Sequence, residues 1–179
     1  MTRRELLLLA AGAAAARAQE NKAEKLAPYY PTPELIVERM LQLGELKRGE
    51  KMFDLGSGDG RIVIMAAKRF GADATGVELD EDLVLRSRNA IHKAGLEKTA
   101  HIIQGDILQQ DYSPGDLLTV YLMPVANDRL RPIIDKQLRK GARLVAHDFQ
   151  FSNWTPEKVV DIEDDGEGRS HTLYLYRVK

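Results

Sequence analysis

A glycine-rich loop carries the clearest chemical signal in the sequence. It reads GSGDG at residues 56–60, after the apolar run 52–55 and before the helix-like stretch 61–70. Because glycine has no Cβ, such a loop can turn sharply and lets backbone N–H groups approach a ligand closely. The helix that follows adds the positive end of its dipole. The segment therefore predicts a nucleotide-type ligand, bound beyond the end of a strand.

The spacing of the glycines separates two classes of ligand. A nicotinamide or flavin site is typically G-x-G-x-x-G, whereas residues 56–60 read G-x-G-x-G, and no Gly-Lys-Ser/Thr follows as in a P-loop. The carboxylates of Asp54 and Asp59 would repel a pyrophosphate but favour a ligand with an amino group and a sulfonium. These observations favour S-adenosylmethionine over a dinucleotide. The cofactor contacts predicted here are Asp54, Gly56, Ser57, Gly58 and Gly60.

Two further acids follow the next two predicted strands. Glu78 ends the second strand, where an acidic side chain can accept hydrogen bonds from both ribose hydroxyls. Asp106 follows the third strand and can accept from the exocyclic amine of adenine, while Ile107 packs on the ring. Either acid alone could be a turn residue. Together with the loop they predict an adenosyl site.

These residues need a framework that brings strand ends together. From residue 51 onward, short apolar runs alternate with helical patterns, which predicts a mostly parallel sheet with helices on both faces. An Asp/Gly-rich turn near the C-terminus predicts an antiparallel hairpin. Thr32 is expected to cap a helix that begins at Pro33 and ends near Gly44. The predicted strands before the hairpin are 51–55, 73–79, 100–106, 116–123 and 142–149, and the later helices are 60–70, 81–95 and 126–140.

The composition excludes several other functions. Lysine plus arginine number 26 against 27 for aspartate plus glutamate, so the net charge is −1, without the basic excess of a nucleic-acid binder. No nucleic-acid partner is expected. The chain has no cysteine, which rules out disulfides, thiolate metal sites and a cysteine nucleophile. Its four histidines show no metal-ligand spacing, so no metal site is predicted.

The order Asp54-x-Gly56-x-Gly58-x-Gly60, then Glu78, then Asp106 resembles the class I S-adenosylmethionine-dependent methyltransferases. The resemblance covers about residues 28–179. It implies an α/β fold, a Rossmann-like three-layer sandwich with a mostly parallel seven-stranded sheet and a C-terminal antiparallel hairpin.

Four stretches resemble one group within that class more closely. The group comprises the small protein-lysine methyltransferases that modify the ATP synthase c-subunit and the adenine nucleotide translocase. The stretches are PYYPTP, DLGSGDGRIVIMAAK, ARLVAHDFQF and NWTPEKV. This resemblance implies N-methylation of a lysine in a protein substrate, which includes membrane proteins as possible targets.

The resemblance also assigns residues to the acceptor side. Tyr30 and Thr32 match the stretch before the loop in the lysine enzymes and are expected to close over the methionine end of the cofactor. Tyr30, Tyr121 and Pro124 are assigned to catalysis. The sequence YLMP at 121–124 differs from the Asp/Asn-Pro-Pro-Phe/Tyr of amide and DNA-amine enzymes. An aromatic, desolvated channel lowers the pKa of an amine and needs no dedicated base. Further candidates for this channel are Tyr29, Phe149, Phe151 and Trp154.

Two other functions remain open. The chain could methylate a small molecule, or it could bind the cofactor as a non-catalytic module. A mature chain of about 160 residues leaves little room for a lid over a small substrate, which favours a protein tail as substrate. The complete set of loop glycines and strand-end acids argues against a non-catalytic module. A monomer is expected.

The first residues resemble an export signal. Residues 1–18 have a basic start at Arg3 and Arg4, an apolar run and a small-x-small cleavage pattern, which is typical of a signal peptide. The two arginines also resemble a twin-arginine signal. We therefore expect a leader at 1–18, a flexible spacer at 19–27 and one methyltransferase domain at 28–179. The expected location is outside the cytoplasm or at the inner membrane, with the cytoplasm as the alternative.

Overall fold

The structure is a computed structural model that describes residues 29–179. The leader predicted at 1–18 and the spacer predicted at 19–27 lie outside the described residues. Within residues 29–179, no helix is both long enough and apolar enough to cross a membrane.

Seven strands form one mixed sheet in the order β3-β2-β1-β4-β5-β7-β6. Strands β1 to β5 are parallel, and β7 is antiparallel to both β5 and β6. The predicted seven-stranded sheet with a C-terminal antiparallel hairpin is confirmed. The strands are β1 Lys51–Leu55, β2 Asp73–Glu78, β3 Ala100–Gln104, β4 Leu117–Val120, β5 Arg143–His147, β6 Lys158–Ile162 and β7 His171–Arg177.

Helices cover both faces of this sheet. They are α1 Glu34–Leu43, α2 Arg61–Met65 with its π-helical continuation Ala66–Phe70, α3 Glu81–Ala94, a 3₁₀ turn Ile107–Gln109 and α4 Pro124–Gln137. Consecutive strand residues point to opposite faces. Accordingly, Met52 belongs to the apolar core under α1, α2 and α3, whereas Phe53 belongs to the core under α4. The predicted three-layer arrangement is confirmed.

Two local predictions are wrong. Pro33, not Thr32, occupies the N-cap of α1, and no side chain caps this helix. Thr32 instead turns its hydroxyl toward the ring of His147, 3.5 Å away. Strand β4 ends at Val120 instead of residue 123, because the chain turns there into α4. That helix starts at Pro124, whose fixed φ and missing N–H suit the first helical position.

The sheet order also creates a crevice at one edge. Strand β1 pairs with β2 on one side and with β4 on the other. The chain therefore builds the sheet outward from β1 in one direction through β2 and β3 and in the opposite direction through β4 and β5. In open parallel sheets, ligands bind beyond the carboxyl ends of the strands at such a point. The glycine loop follows β1 directly.

Candidate active site

A cleft of about 840 Å³, including its open mouth, lies at the carboxyl ends of β1, β2 and β4. Ten of the twelve residues predicted from the sequence line it, and they come from both the cofactor set and the catalytic set. They are Tyr30, Thr32, Asp54, Gly56, Ser57, Gly58, Glu78, Asp106, Ile107 and Tyr121.

The other two predicted residues lie outside the lining. Gly60 ends the loop at the start of α2 and packs against α3, where a Cβ would come within 2.8 Å of the Ser87 Cβ. Pro124 is the exposed first residue of α4. The role assigned to Pro124 stays a prediction.

The glycine loop has a backbone that other residues rarely adopt. Gly56, Gly58 and Gly60 all have positive φ, at 79°, 54° and 79°, which explains the alternate spacing. At Gly58 an added Cβ would also lie 2.6 Å from a ring carbon of Tyr29. The Gly58 N–H donates to Glu78 Oε2 at 2.8 Å. The loop is therefore held in shape by the end of the neighbouring strand.

Glu78 connects the loop to the turn after β2. Its second oxygen, Oε1, accepts from the N–H groups of Leu79 and Asp80 at 2.8 and 2.9 Å. A carboxylate offers about four lone-pair sites, so these three bonds leave capacity for a ribose hydroxyl. The ribose contact of Glu78 stays a prediction.

Asp106 has a structural role as well. It caps the 3₁₀ turn, since Oδ1 accepts from the Leu108 N–H at 2.8 Å and Oδ2 from Gln109 Nε2 at 3.2 Å. Ile107 is buried beside it. Both residues line the cleft, and their contact with adenine stays a prediction.

Asp54 is a buried carboxyl under the loop. Burial, with the nearby carboxylates of Glu78 and Asp59 as smaller causes, raises the pKa of Asp54 to about 7. A hydrogen bond from Thr119 Oγ1 at 2.7 Å acts in the opposite direction on this pKa. A bound cation nearby would favour the ionised form of Asp54.

The donor end of the cleft, which we define as residues 54–60 with Glu78, Asp106 and Ile107, fits an adenosyl cation. Among the described residues, the buried Ser57 Oγ has no hydrogen-bond partner, and it lies against Gly76 of β2. Four acids of this end line the space, namely Asp54, Asp59, Glu78 and Asp106, and Asp59 is paired with Arg61. The donor end therefore suits a ligand that is polar on one side and positively charged on another.

The segment before α1 lies over the glycine loop and is fixed by Arg61. The guanidinium donates to both oxygens of Asp59, with Nε–Oδ1 at 3.0 Å and Nη2–Oδ2 at 2.7 Å. Its Nη1 donates to the carbonyl of Thr32 at 2.9 Å. Sequence reasoning missed this last contact because Arg61 and Thr32 are distant in the chain and share no motif.

The acceptor end of the cleft is aromatic; we define it as Tyr30 and Tyr121, which line the cleft, with Phe149, which packs on Tyr121 outside the lining. Tyr30 and Tyr121 meet edge to face with ring centroids 6.5 Å apart, and Phe149 stacks on Tyr121 at 6.3 Å. Burial, followed by the charge of Asp148, raises the pKa of Tyr121 to about 12. Its phenol therefore remains neutral at physiological pH.

Two aromatics expected in this channel lie elsewhere. Phe151 and Trp154 pack against Tyr176, with centroids 5.4 and 4.6 Å from its ring. They belong to the apolar core under α4, so their expected place in the channel is wrong. Strand β7, which carries Tyr176, could not be placed beside β5 from local patterns alone.

A polar cluster that the sequence did not reveal lies behind Tyr121. The ring of His147 packs on Tyr121 with centroids 3.9 Å apart, and His171 lies beside His147. Burial lowers the pKa of His147 to about 4, although Asp148 acts in the opposite direction. These residues are 24 positions apart and meet only because β5 pairs with β7.

Comparison with known proteins is consistent with this site. A family model described as the ANTKMT methyltransferase domain matches residues 54–158. A protein-lysine N-methyltransferase of Saccharolobus islandicus is 38% identical over 150 residues, which cover 83% of this chain and 92% of the relative. The human lysine N-methyltransferase of the ATP synthase c-subunit is 33% identical over 149 residues, 83% of this chain and 60% of the human protein.

A solved structure extends the comparison to the fold. The RNA methyltransferase from Salinibacter ruber, in complex with S-adenosyl-L-homocysteine, matches with a TM-score of 0.78 and 40% identity. The match covers 83% of this chain and 94% of that one.

Proposed function

Because the chain belongs to the ANTKMT methyltransferase-domain family and is an S-adenosylmethionine-dependent methyltransferase, we propose that it methylates the side-chain amine of a lysine in a protein substrate. The relatives from Saccharolobus islandicus and human are named as lysine N-methyltransferases. The substrate of this chain is inferred from those relatives and from the chemistry of the acceptor end.

One observation carries the proposal: the glycine loop and the Tyr30–Tyr121 pair line the same cleft. A methyl group transferred from a sulfonium must lie in line between the sulfur and the attacking nitrogen, so alignment provides much of the rate. The donor end suits the cofactor. The aromatic acceptor end suits the hydrocarbon stem and the amine of a lysine.

The acceptor amine must be neutral before it attacks. S-adenosylmethionine supplies the electrophilic methyl group when it is bound. Tyr121 is too weak an acid to lose its proton at neutral pH, because burial and the nearby Asp148 raise its pKa to about 12. A lone pair of its oxygen can accept an N–H of the amine and orient the nitrogen. Desolvation among the aromatic rings lowers the pKa of the lysine and favours loss of its proton to solvent.

The open mouth of the cleft favours a protein side chain over a free metabolite. Tyr29 and Tyr30 at the mouth are 41% and 46% exposed. No further domain encloses the cleft within residues 29–179. A small substrate would leave much of its surface in water there. With a protein substrate, the protein around the target lysine would cover the open mouth.

The name of the Salinibacter ruber structure suggests RNA as an alternative acceptor. Charge argues against it here. Among the described residues, the cleft is lined by four acids and by Arg61 as its one basic residue, and RNA phosphates need positive charge.

A transfer assay distinguishes these acceptors. Purified protein is incubated with methyl-labelled S-adenosylmethionine and with membrane proteins, soluble proteins or total RNA. We expect label that is resistant to nuclease, sensitive to protease and recovered as methyl-lysine. Prior acetylation of the lysines in the acceptor preparation, which converts each amine into an amide, should abolish it. Nuclease-sensitive label would support RNA, and solvent-extractable label would support a metabolite. Calorimetric cofactor binding without any transfer would support a non-catalytic module.

We also propose that residues 1–18 direct the protein to the membrane or beyond it. The basic start and apolar run support this proposal, and a membrane location would bring the enzyme close to membrane-embedded targets. Cell fractionation with N-terminal sequencing tests it. A soluble cytoplasmic protein that retains Met1 would contradict the proposal.

A further inference from the structure

We propose that His147, Asp148 and His171 form a binding site for one divalent transition-metal ion of the Zn²⁺ type. The cluster lies where β5 ends and β7 begins, behind the acceptor end of the cleft. His147 Nε2 is 2.9 Å from His171 Nδ1. Asp148 Oδ2 lies 3.3 Å from the first nitrogen and 3.2 Å from the second. Three potential ligand atoms therefore converge on one point.

These separations match those between ligands of a single ion. Zn²⁺ binds imidazole nitrogen at about 2.0–2.1 Å and carboxylate oxygen at about 2.0–2.2 Å. Ligands at such distances are about 3.3 Å apart in a tetrahedron and about 3 Å apart at neighbouring corners of an octahedron. All three separations in the cluster are close to these values. One ion could contact the three atoms without movement of the backbone.

A second group of contacts orients the ligands. His171 Nε2 lies 3.1 Å from Asp165 Oδ2, and the other oxygen of Asp165 accepts from two backbone N–H groups. Since a carboxylate with these partners accepts hydrogen bonds, the His171 proton belongs on Nε2, and the lone pair of Nδ1 points into the cluster. A carboxylate behind a ligating histidine is the usual arrangement at metal sites.

Asp148 is held in a similar way. Its φ is +57°, which is uncommon for a residue other than glycine. Asp148 Oδ1 accepts from the Thr172 N–H at 3.0 Å, so Oδ2 faces the two histidines. Strain of this kind is often found where a side chain has a functional task.

With both histidines neutral, hydrogen bonds leave one contact of the cluster unsatisfied. If His147 donates from Nε2 to His171 Nδ1, the lone pair of that nitrogen still lies 3.2 Å from Asp148 Oδ2, and two acceptors face each other. A cation resolves this contact. Two nitrogens and one oxygen suit Zn²⁺, Co²⁺ or Ni²⁺ rather than Mg²⁺ or Ca²⁺, which prefer oxygen ligands. Both histidines are buried and Asp148 is 25% exposed, so an ion would enter from the side of Asp148.

The bound ion would join the ends of β5 and β7 behind Tyr121. The expected result is a stiffer wall at the acceptor end and a higher melting temperature, without a change in cofactor affinity. This inference does not depend on the identity of the methyl acceptor.

The test uses the full chain without an affinity tag, stripped with a chelator. Zn²⁺ is titrated by calorimetry, and Co²⁺ is titrated by its visible ligand-field absorption, which cannot arise from thiolates because the chain has no cysteine. We expect one ion per chain with a dissociation constant of about 1 μM or tighter. Zn²⁺ should also raise the melting temperature of the stripped protein.

Variants locate the ion. Asp148→Asn and His171→Ala should each weaken Zn²⁺ binding at least about tenfold, with S-adenosylmethionine affinity as the check on folding. His92→Ala is the matched control, because His92 is an exposed histidine beside Glu97. Failure of stripped wild-type protein to bind Zn²⁺ or Co²⁺ would overturn the inference. Equal loss of binding in His92→Ala would also overturn it, as would imidazole ¹⁵N resonances of His147 and His171 that do not change on addition of Zn²⁺.

Discussion

The two ends of the cleft are built in different ways. At the donor end, a short stretch of chain provides the loop, and the strand-end acid Glu78 fixes it through the Gly58 N–H. At the acceptor end, Tyr30, Tyr121 and Phe149 come from three distant segments and meet through their rings. The donor end therefore depends on backbone conformation, whereas the acceptor end depends on side chains. Side chains can be exchanged without changing the fold, so relatives can share the donor end and differ in their acceptors.

The largest expected effect tests the dependence of the donor end on its backbone. Gly58→Val adds a branched side chain at φ +54° and directly against Tyr29, so we expect S-adenosylmethionine affinity to fall by about 100-fold or more in calorimetry. Gly49→Val is the control. Gly49 also has positive φ (+79°), but a Cβ there would meet no described atom within 4 Å. Equal loss of affinity in both variants would show general misfolding instead of damage to the loop.

The next effect separates the acceptor end from the donor end. Tyr121→Phe removes the hydroxyl that we assign to orienting the amine, so kcat should fall about tenfold while S-adenosylmethionine affinity stays within about twofold. Tyr174→Phe, at a half-buried position on β7 outside the cleft, should leave both quantities unchanged. A loss confined to cofactor affinity would show that Tyr121 binds the cofactor and does not orient the amine.

Asp54 provides a pH test of the donor end. Its pKa is about 7, so the carboxyl is mostly ionised at pH 8 and mostly protonated at pH 6. Since the ionised form attracts a cation, the affinity for S-adenosylmethionine should fall about tenfold when the pH is lowered from 8 to 6. Asp54→Asn should lack this part of the profile, and Asp111→Asn, at an exposed turn, should keep it. Parallel profiles for wild type and Asp54→Asn would contradict the assignment.

The same pKa predicts the direction of a stability change. The folded protein holds the Asp54 proton more tightly than the unfolded chain, because the pKa rises from 3.8 to about 7. The contribution of protonated Asp54 to the free energy of unfolding is therefore fully present below pH 3.8 and is lost as the pH rises through 7. Asp54→Asn should gain melting temperature relative to wild type between pH 5 and pH 8. A constant difference across this interval would show that Asp54 does not titrate there.

The smallest effect concerns Arg61, which joins the segment before α1 to the glycine loop. Arg61→Lys cannot reproduce the paired bonds to Asp59 together with the bond to the Thr32 carbonyl. We expect S-adenosylmethionine affinity to weaken about threefold in calorimetry. Arg69→Lys, in an exposed ion pair with Glu38, should have no measurable effect. No change in Arg61→Lys would show that the segment over the loop is held by other contacts.

The sequence by itself determined the donor end. Residues 51–60 encode a buried strand, a loop with left-handed glycines and a helix start, and each of these depends on neighbours in the chain. The order of strand-end acids then followed from the alternation of strands and helices. Local chemistry was sufficient because parallel strands bring their carboxyl ends to the same edge.

Only the tertiary structure decided the acceptor end and the cluster behind it. The hydroxyl of Thr32 was predicted to cap a helix but lies near the ring of His147. Phe151 was predicted to line the channel but lies in the core beside Tyr176. His147 met His171 because β7 inserts antiparallel between β5 and β6. Ring packing and hydrogen bonds across such distances depend on strand order and register, which periodicity within one segment does not contain.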